Sequence, residues 1–148
     1  RADRRAAVNG IGRLELVVPD SAIDANGHVN NVQYVQWMQD AAMHHSAALG
    51  WPQERYAVMG RTWIIRSHTI EYLHSAYAGE AISVYTWVAD FQKIRPLRKF
   101  KFHRPADDTV LAVAATVFIF CDLHTGRPRT IPPEVLAAYP LVSPDREP

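Results

Sequence analysis

Along residues 14–18, Leu14, Glu15, Leu16, Val17 and Val18 alternate and then turn apolar before Pro19 and Asp20, which is the pattern of a strand closed by a turn. A polar loop over residues 20–30 follows. At Asn31 the period becomes helical, with Val35, Met38, Ala42, His45 and Leu49 on one stripe and Tyr34, Trp37 and Ala41 beside it. Asn30 or Asn31 can cap this helix, and Gly50, Trp51 and Pro52 stop it. From residue 56 to residue 122 the chain reads as strand, in segments 62–73, 81–91, 97–104 and 109–122 that are rich in β-branched and aromatic residues. Turn chemistry separates them at residues 78–80, 95–96 and 105–108, and again follows at 125–128. Pro132, Pro133 and Glu134 then open a short amphipathic helix that runs to Tyr139.

This order predicts an α+β fold in which an antiparallel sheet, its last four strands in a meander, wraps around one long central helix, because the sheet is the only large apolar surface available to the stripe. One helix covers one face of a sheet. In segment 81–91, however, Ile82, Val84 and Val88 alternate with Tyr85, Trp87 and Phe91, so both faces are apolar. The second face predicts a homo-oligomer, or else a partly exposed aromatic surface.

Composition narrows the classes. A chain of 148 residues is read as one domain, 1–148, with residues 1–12 as a flexible N-terminal arm. With 16 Lys+Arg against 15 Asp+Glu, bulk electrostatics does not point to nucleic acid. Cys121 is the only cysteine, which excludes an intramolecular disulfide and suggests a reducing, cytoplasmic setting. The longest apolar run, residues 110–121, is well short of the roughly 20 residues of a membrane span, and no signal-peptide pattern is visible, so no membrane partner is expected. The chain has no G-x-S-x-G, phosphate-loop or H-E-x-x-H segment, and Gly10-Ile11-Gly12 precedes a strand instead of following one. His44 and His45 point about 100° apart on a helix, a poor chelate, so no metal site is expected.

The loop Asp24-Ala25-Asn26-Gly27-His28-Val29-Asn30-Asn31 places a carboxylate, an amide and an imidazole just before a helix whose first N–H groups are unpaired. A thioester under attack develops negative charge on its carbonyl oxygen, and such a helix start can hold it. Asp24 could act as base on water or as nucleophile, with Asn26 and His28 orienting the reactants and Gly27 permitting the sharp turn. An Asx-rich turn that only caps the helix has the same composition.

Residues 24–37, DANGHVNNVQYVQW, closely resemble the D-x-N-x-H-V-N-N-x-x-Y-x-x-W motif of hotdog-fold thioesterases. The nearest branches are the acyl-acyl carrier protein thioesterases and the 4-hydroxybenzoyl-CoA thioesterase group. The element order, the basic strand around Arg98 and the late segment 127–133 extend the likeness over nearly the whole chain. The resemblance implies Asp24 as base or nucleophile and Asn26 and His28 as the amide and imidazole of the carrier-protein branch. At Asn31 it implies a backbone N–H that holds the thioester oxygen. The 4-hydroxybenzoyl-CoA group retains only the aspartate, so the presence of all three favours the carrier-protein branch. Asp40 aligns with an acidic helix residue of the family, but it lies about 13 Å along the axis from Asn31 and is read as structural. The plant enzymes fuse two such domains, whereas a single domain implies a homodimer or homotetramer with interfacial active sites.

The basic stretch 93–104 interleaves Lys93, Arg95, Arg98, Lys99, Lys101, His103 and Arg104 with Ile94, Leu97, Phe100 and Phe102, and alternation puts Lys99, Lys101 and His103 on one face. Arg98, Lys99 and Lys101 are candidates for coenzyme A or phosphopantetheine phosphates or for an acidic carrier protein. A lysine-guarded edge strand has the same pattern. Arg61 and Arg66 are further candidates of that kind, and Tyr34, Trp37 and Trp63 are candidates for an acyl tunnel or for plain core. The sequence therefore reads as a thioester hydrolase acting on an acyl-CoA or acyl-carrier-protein without metal or organic cofactor. Two rivals are a hotdog hydratase or dehydratase, whose H-F-P-G-type segments are absent, and a non-catalytic acyl-thioester-binding module.

Overall fold

The computed structural model describes residues 9–91 and 95–148. Residues 1–8 of the expected arm, and Lys93 and Ile94 of the basic stretch, lie outside the described residues. The elements are β1 (Gly12–Val17), α1 (Asn31–Ala48), α2 (Gln53–Val58), β2 (Arg61–Tyr72), β3 (Ala81–Asp90), β4 (Leu97–Arg104), β5 (Thr109–Asp122) and α3 (Pro133–Ala138). They form the hotdog arrangement of one antiparallel sheet around a long helix, with strand order β1-β3-β4-β5-β2.

Two expectations need correction. Residues 53–58 form a helix where strand was predicted to begin at residue 56, since Pro52 at the N-cap and Glu54 in the first turn start a helical turn before Gly60 ends it. The four-strand meander holds only for β3, β4 and β5. β2 pairs with the far side of β5, and residues 73–80 then carry the chain across the end of the sheet to β3. This crossing is anchored where Val29 N–H donates to Ala76 O and Gly79 N–H to Val18 O. It therefore supports the loop that precedes α1. β4 is interior, so its lysines guard no edge; the edges are β1 and β2.

α1 buries Tyr34, Trp37, Met38, Ala41 and His45. The first four pack on Ile82, Val84, Phe100, Phe102 and Leu111 of the sheet. In the β4·β5 ladder Phe100 stands opposite Ala114 and Phe102 opposite Ala112, a large-to-small pairing that fills the space beneath the helix. Each large apolar side chain so buried contributes roughly 1.5–3 kcal/mol. A second cluster joins Trp51, Tyr56, Phe120, Ile131, Val135 and Tyr139 around α2 and α3.

The outer face is covered in part by the chain itself. Trp87 is only 4% exposed. Its Nε1 donates to Glu147 Oε2 at 3.2 Å, Lys99 Nζ reaches the same oxygen at 2.8 Å, and Val142 N–H donates to Val88 O. The burial of Trp87 thus reflects the docked C-terminal segment, and Phe91 lines a cavity, so the doubly apolar pattern of segment 81–91 does not of itself require a second copy.

Candidate active site

The loop before α1 closes on itself through an isolated bridge between Ile23 and Val29. Asp24 N–H donates to His28 O at 3.0 Å and Gly27 N–H to Asp24 O at 3.0 Å. Gly27 has φ +83°, and a Cβ there would meet nothing within 4 Å, so it is the backbone conformation that demands glycine. Asp24 Oδ1 accepts the Asn26 N–H at 2.8 Å, an Asx turn that orients the half-buried carboxylate and leaves Oδ2 without a protein donor among the described residues. His28 is half-buried with its ring edge-on to Tyr77, at 6.4 Å between centroids.

Asn30 is the N-cap: its Oδ1 accepts the Val32 N–H at 2.9 Å, and its carbonyl accepts the Gln33 N–H at 3.0 Å. Asn30 N–H itself donates to Ala22 O. Among the described residues the Asn31 N–H finds no protein acceptor. It stands at the head of an 18-residue helix, where the macrodipole adds positive potential. Tyr72 OH donates to Asn31 O at 3.0 Å and ties the end of β2 to this helix start. The arrangement can hold an anionic oxygen beside a carboxylate, an amide and an imidazole.

A cavity of about 420 Å³ lies elsewhere, between the second half of α1, α2, β2, β4 and β5. Its wall includes the rings of Trp51, Trp63, Phe91, Phe100 and Phe118, and it reaches the surface between Gln39, Met43, Glu54 and Ile65, all exposed. Several of its polar groups pair with one another. Tyr56 and Tyr139 share a hydroxyl bond of 2.8 Å, Tyr139 donates to Ser46 Oγ at 2.8 Å, and His68 Nδ1 meets Thr116 Oγ1 at 2.8 Å. Burial raises the Tyr56 hydroxyl and lowers the His68 imidazole, so both are neutral near pH 7. None of Asp24, Asn26, His28 and Asn31 lines this cavity.

Asp24, Asn26, His28 and Asn31 are thus gathered on one loop, and the residues singled out for substrate contact are dispersed. Tyr34 is 3% exposed, packs against Trp37, Tyr72 and Phe102, and has its hydroxyl pushed up to about 12 by burial. Trp37 is likewise core, whereas Trp63 lines the cavity. Arg61 faces Asp122 at 3.6 Å. Arg66 is exposed at the β2 bulge, and Asp40 accepts from Gln36 Nε2 on the open face of α1. Lys99 and Lys101 point away from the helix side of the sheet, Lys99 held by Glu147. Arg98 does not belong to their row. It is 5% exposed and points inward into the cavity, so surface phosphates and an acidic carrier surface are out of its reach. Strand alternation carried that signal, since Arg98 shares parity with Phe100 and Phe102. Sequence reasoning missed the cavity's other polar groups, Ser46, Tyr56, Tyr139 and the His68–Thr116 pair, because they come together only through long-range packing.

Among the described residues no cluster of His, Cys, Asp or Glu is placed to hold a metal ion, and no helix is long and apolar enough to cross a membrane.

Residues 18–139 match the sequence profile of the Thioesterase-like superfamily. Among solved structures, the chain is similar to the DHNA-CoA thioesterase of Staphylococcus aureus (19% identity, TM-score 0.80, covering 87% of this chain and 88% of that one). It is similar to a 1,4-dihydroxy-2-naphthoyl-CoA thioesterase of Synechocystis (16% identity, TM-score 0.80, 87% and 95%). It also resembles an acyl-ACP thioesterase of Bacteroides thetaiotaomicron (24% identity, TM-score 0.75), covering 81% of this chain but 49% of that one. These likenesses establish the fold. Comparison with curated proteins finds no match.

Proposed function

Because the chain belongs to the thioesterase-like superfamily, we propose that it hydrolyses the thioester of an acyl-coenzyme A or an acyl-carrier protein, with Asp24 at the centre of the reaction. The observation that carries this reading is the unpaired Asn31 N–H at the head of α1, in the same loop as a carboxylate oriented by its own Asx turn. In the base route, Asp24 takes a proton from water as the water oxygen adds to the carbonyl carbon. The displaced electron pair moves to the carbonyl oxygen, where the Asn31 N–H and the helix dipole hold the charge. Collapse of this intermediate breaks the C–S bond, and the leaving thiolate takes the proton from Asp24. In the nucleophile route Asp24 adds first, expels the thiolate, and water opens the resulting anhydride. Asn26 and His28 orient the water and the carbonyl in either case.

One copy keeps the loop and the cavity apart. Tyr72, at the end of β2, holds the start of α1, while Thr62, Trp63 and Ile65 in the first half of β2, and His68 just past its middle, line the cavity. β2 is an outer strand carrying exposed apolar residues, with Ile64 at 44% and Ile65 at 41%, and such edges are usually covered. A second copy pairing antiparallel along this edge exchanges the two ends of β2, bringing its own helix start over the first copy's cavity. We therefore place two equivalent sites at the interface of a homodimer, each built from one copy's loop and the other's cavity.

The test is thiol release from a panel of short, long and aromatic acyl-CoA thioesters, with the same acyl groups on carrier protein, comparing wild type with Asp24→Asn. The variant keeps the side-chain shape and removes the base, so turnover should fall by at least about 10²-fold while fold and oligomer persist. Equal turnover by the two proteins would refute the assignment.

A further inference from the structure

The cavity wall contains a charge that the fold leaves uncompensated. Arg98 Nη1 donates to His45 Nδ1 at 2.8 Å and to Thr86 Oγ1 at 3.1 Å. Both acceptors are uncharged, because burial and the neighbouring guanidinium push His45 down to about 2. Among the described residues no Asp or Glu forms an ion pair with Arg98, and burial pulls its guanidinium below the ordinary value, with the neutral phenols of Tyr139 and Tyr56 nearby. Among the described residues its Nε and Nη2 have no protein acceptor. Since His45 Nε2 is the only fully buried side-chain nitrogen or oxygen without a partner among the described residues, the remaining Arg98 N–H groups open onto the cavity that Arg98 lines.

A chain of hydroxyls stands in the same wall. With Tyr139 donating to Ser46, Tyr56 donates to Tyr139, and the Ser46 proton has no protein acceptor among the described residues. Among the described residues the only carboxylate bordering the cavity is Glu54, exposed at its mouth.

A plain alkyl chain filling this space would expel water from around a buried cation and leave it without a counter-charge, which is among the costlier arrangements in a protein. A carboxylate at the far end of the chain would instead accept two parallel N–H bonds from the guanidinium fork and a third from Ser46. The aromatic and aliphatic side chains that line the cavity suit the methylenes in between. We propose that the cavity receives an acyl group ending in a carboxylate, so that the substrate is the half-thioester of a dicarboxylic acid and Arg98 selects it. The half-thioester rests on the thioesterase reading; the preference for a terminal carboxylate rests on the cavity.

The experiment compares matched pairs. Thiol release is measured from hexanoyl- against adipoyl-CoA and from octanoyl- against suberoyl-CoA, with wild type, Arg98→Met and Arg98→Lys. Binding of free adipate and free hexanoate is followed by the fluorescence of Trp51 and Trp63, which line the cavity. Wild type should favour the carboxylate-ended thioester by roughly 10- to 100-fold in kcat/KM and bind adipate more tightly than hexanoate. Arg98→Met should reverse the order and Arg98→Lys should keep part of it. Should Arg98→Met fail to fold, the wild-type comparison decides. Hexanoyl-CoA turned over as well as adipoyl-CoA, with adipate binding no tighter than hexanoate or neither acid binding, overturns the proposal and leaves hydrolysis standing. Tighter adipate binding without thiol release from any thioester supports the cavity assignment and removes the hydrolytic reading instead.

Discussion

Gly12 opens β1 without a left-handed φ, so it is there for space. A Cβ at this position would stand 2.6 Å from Cδ2 and Cγ of His45 and 2.8 Å from its Cβ. The imidazole has little room to give. It is 1% exposed, its Nδ1 accepts from Arg98, and its ring lies edge-on to Tyr139 at 6.3 Å. Gly12→Ala must therefore push β1 off its register with β3, where Gly12 faces Thr86, or push the imidazole off Arg98. The first is overpacking, at about 1–3 kcal/mol. The second breaks a charge-assisted hydrogen bond, at about 1.5–3 kcal/mol. These are alternative routes of relaxation, so they do not add, and the expected destabilisation is about 2–3 kcal/mol. For a chain of this size that lowers Tm by roughly 4–12 °C.

Urea unfolding followed by the fluorescence of the four tryptophans measures the change. A double-mutant cycle locates its cause: once His45→Ala has removed the ring, the methyl of Gly12→Ala has room, so the double variant should be more stable than the sum of the singles by about 1 kcal/mol or more. Gly12→Ala within about 0.5 kcal/mol of wild type, or strict additivity in the cycle, would refute the reasoning.

Three further outcomes follow from the same geometry. His45, held down to about 2, and His68, lowered by burial, both bind a proton more weakly in the folded chain than at the ordinary value of 6.5. Above about pH 6.5 neither folded nor unfolded chain holds these protons and stability is flat. Below it the unfolded chain holds more, so stability should fall with acid at up to about 1.4 kcal/mol per pH unit from His45. His45→Gln should flatten the decline between pH 6.5 and pH 4.5 in urea midpoints; an unchanged slope would mean that the folded imidazole accepts a proton. His28→Ala should lower kcat less than Asp24→Asn does, because an orienting group is partly replaceable; the opposite order would make His28 the principal base. Ile64→Lys on the open edge of β2 should convert a dimer into a 16.7 kDa monomer by light scattering. Turnover should fall with it, and a monomer with full kcat/KM would refute the shared site.

The parts of the fold that were legible in the sequence are those set by local periodicity. β4 and β5 were bounded correctly at residues 97–104 and 109–122, and α1 ends one residue before the predicted Leu49, because alternation and a helical stripe bounded by Asn30 and Gly50 are short-range signals. The position of β2 was not legible. Several neighbours could satisfy its alternation, and the choice of β5 rests on a ladder that pairs Arg61 with Asp122 and Tyr72 with Ala112, far apart in sequence. The same division runs through the site. The loop could be read because its chemistry is contiguous. The cavity could not, because Ser46, Tyr56, His68, Arg98 and Tyr139 come from five separate elements or their flanks. In Arg98 the two kinds of signal conflicted: composition grouped it with neighbouring lysines, while its parity grouped it with Phe100 and Phe102.

That conflict bears on function. A cation placed at an inward strand position costs stability unless something neutralises it, and within one copy the partners of Arg98 are a neutral imidazole and a threonine hydroxyl. Replacement by an apolar residue would be expected to ease packing, as it does at many buried charges. Retention of the guanidinium is therefore better explained by a ligand than by the fold. The ligand would complete the pair, and its binding would add stability by mass action. Saturating adipate should accordingly raise the Tm of wild type by more than equal hexanoate does, and the difference should vanish in Arg98→Met. Equal shifts for the two acids in wild type would return Arg98 to a structural role.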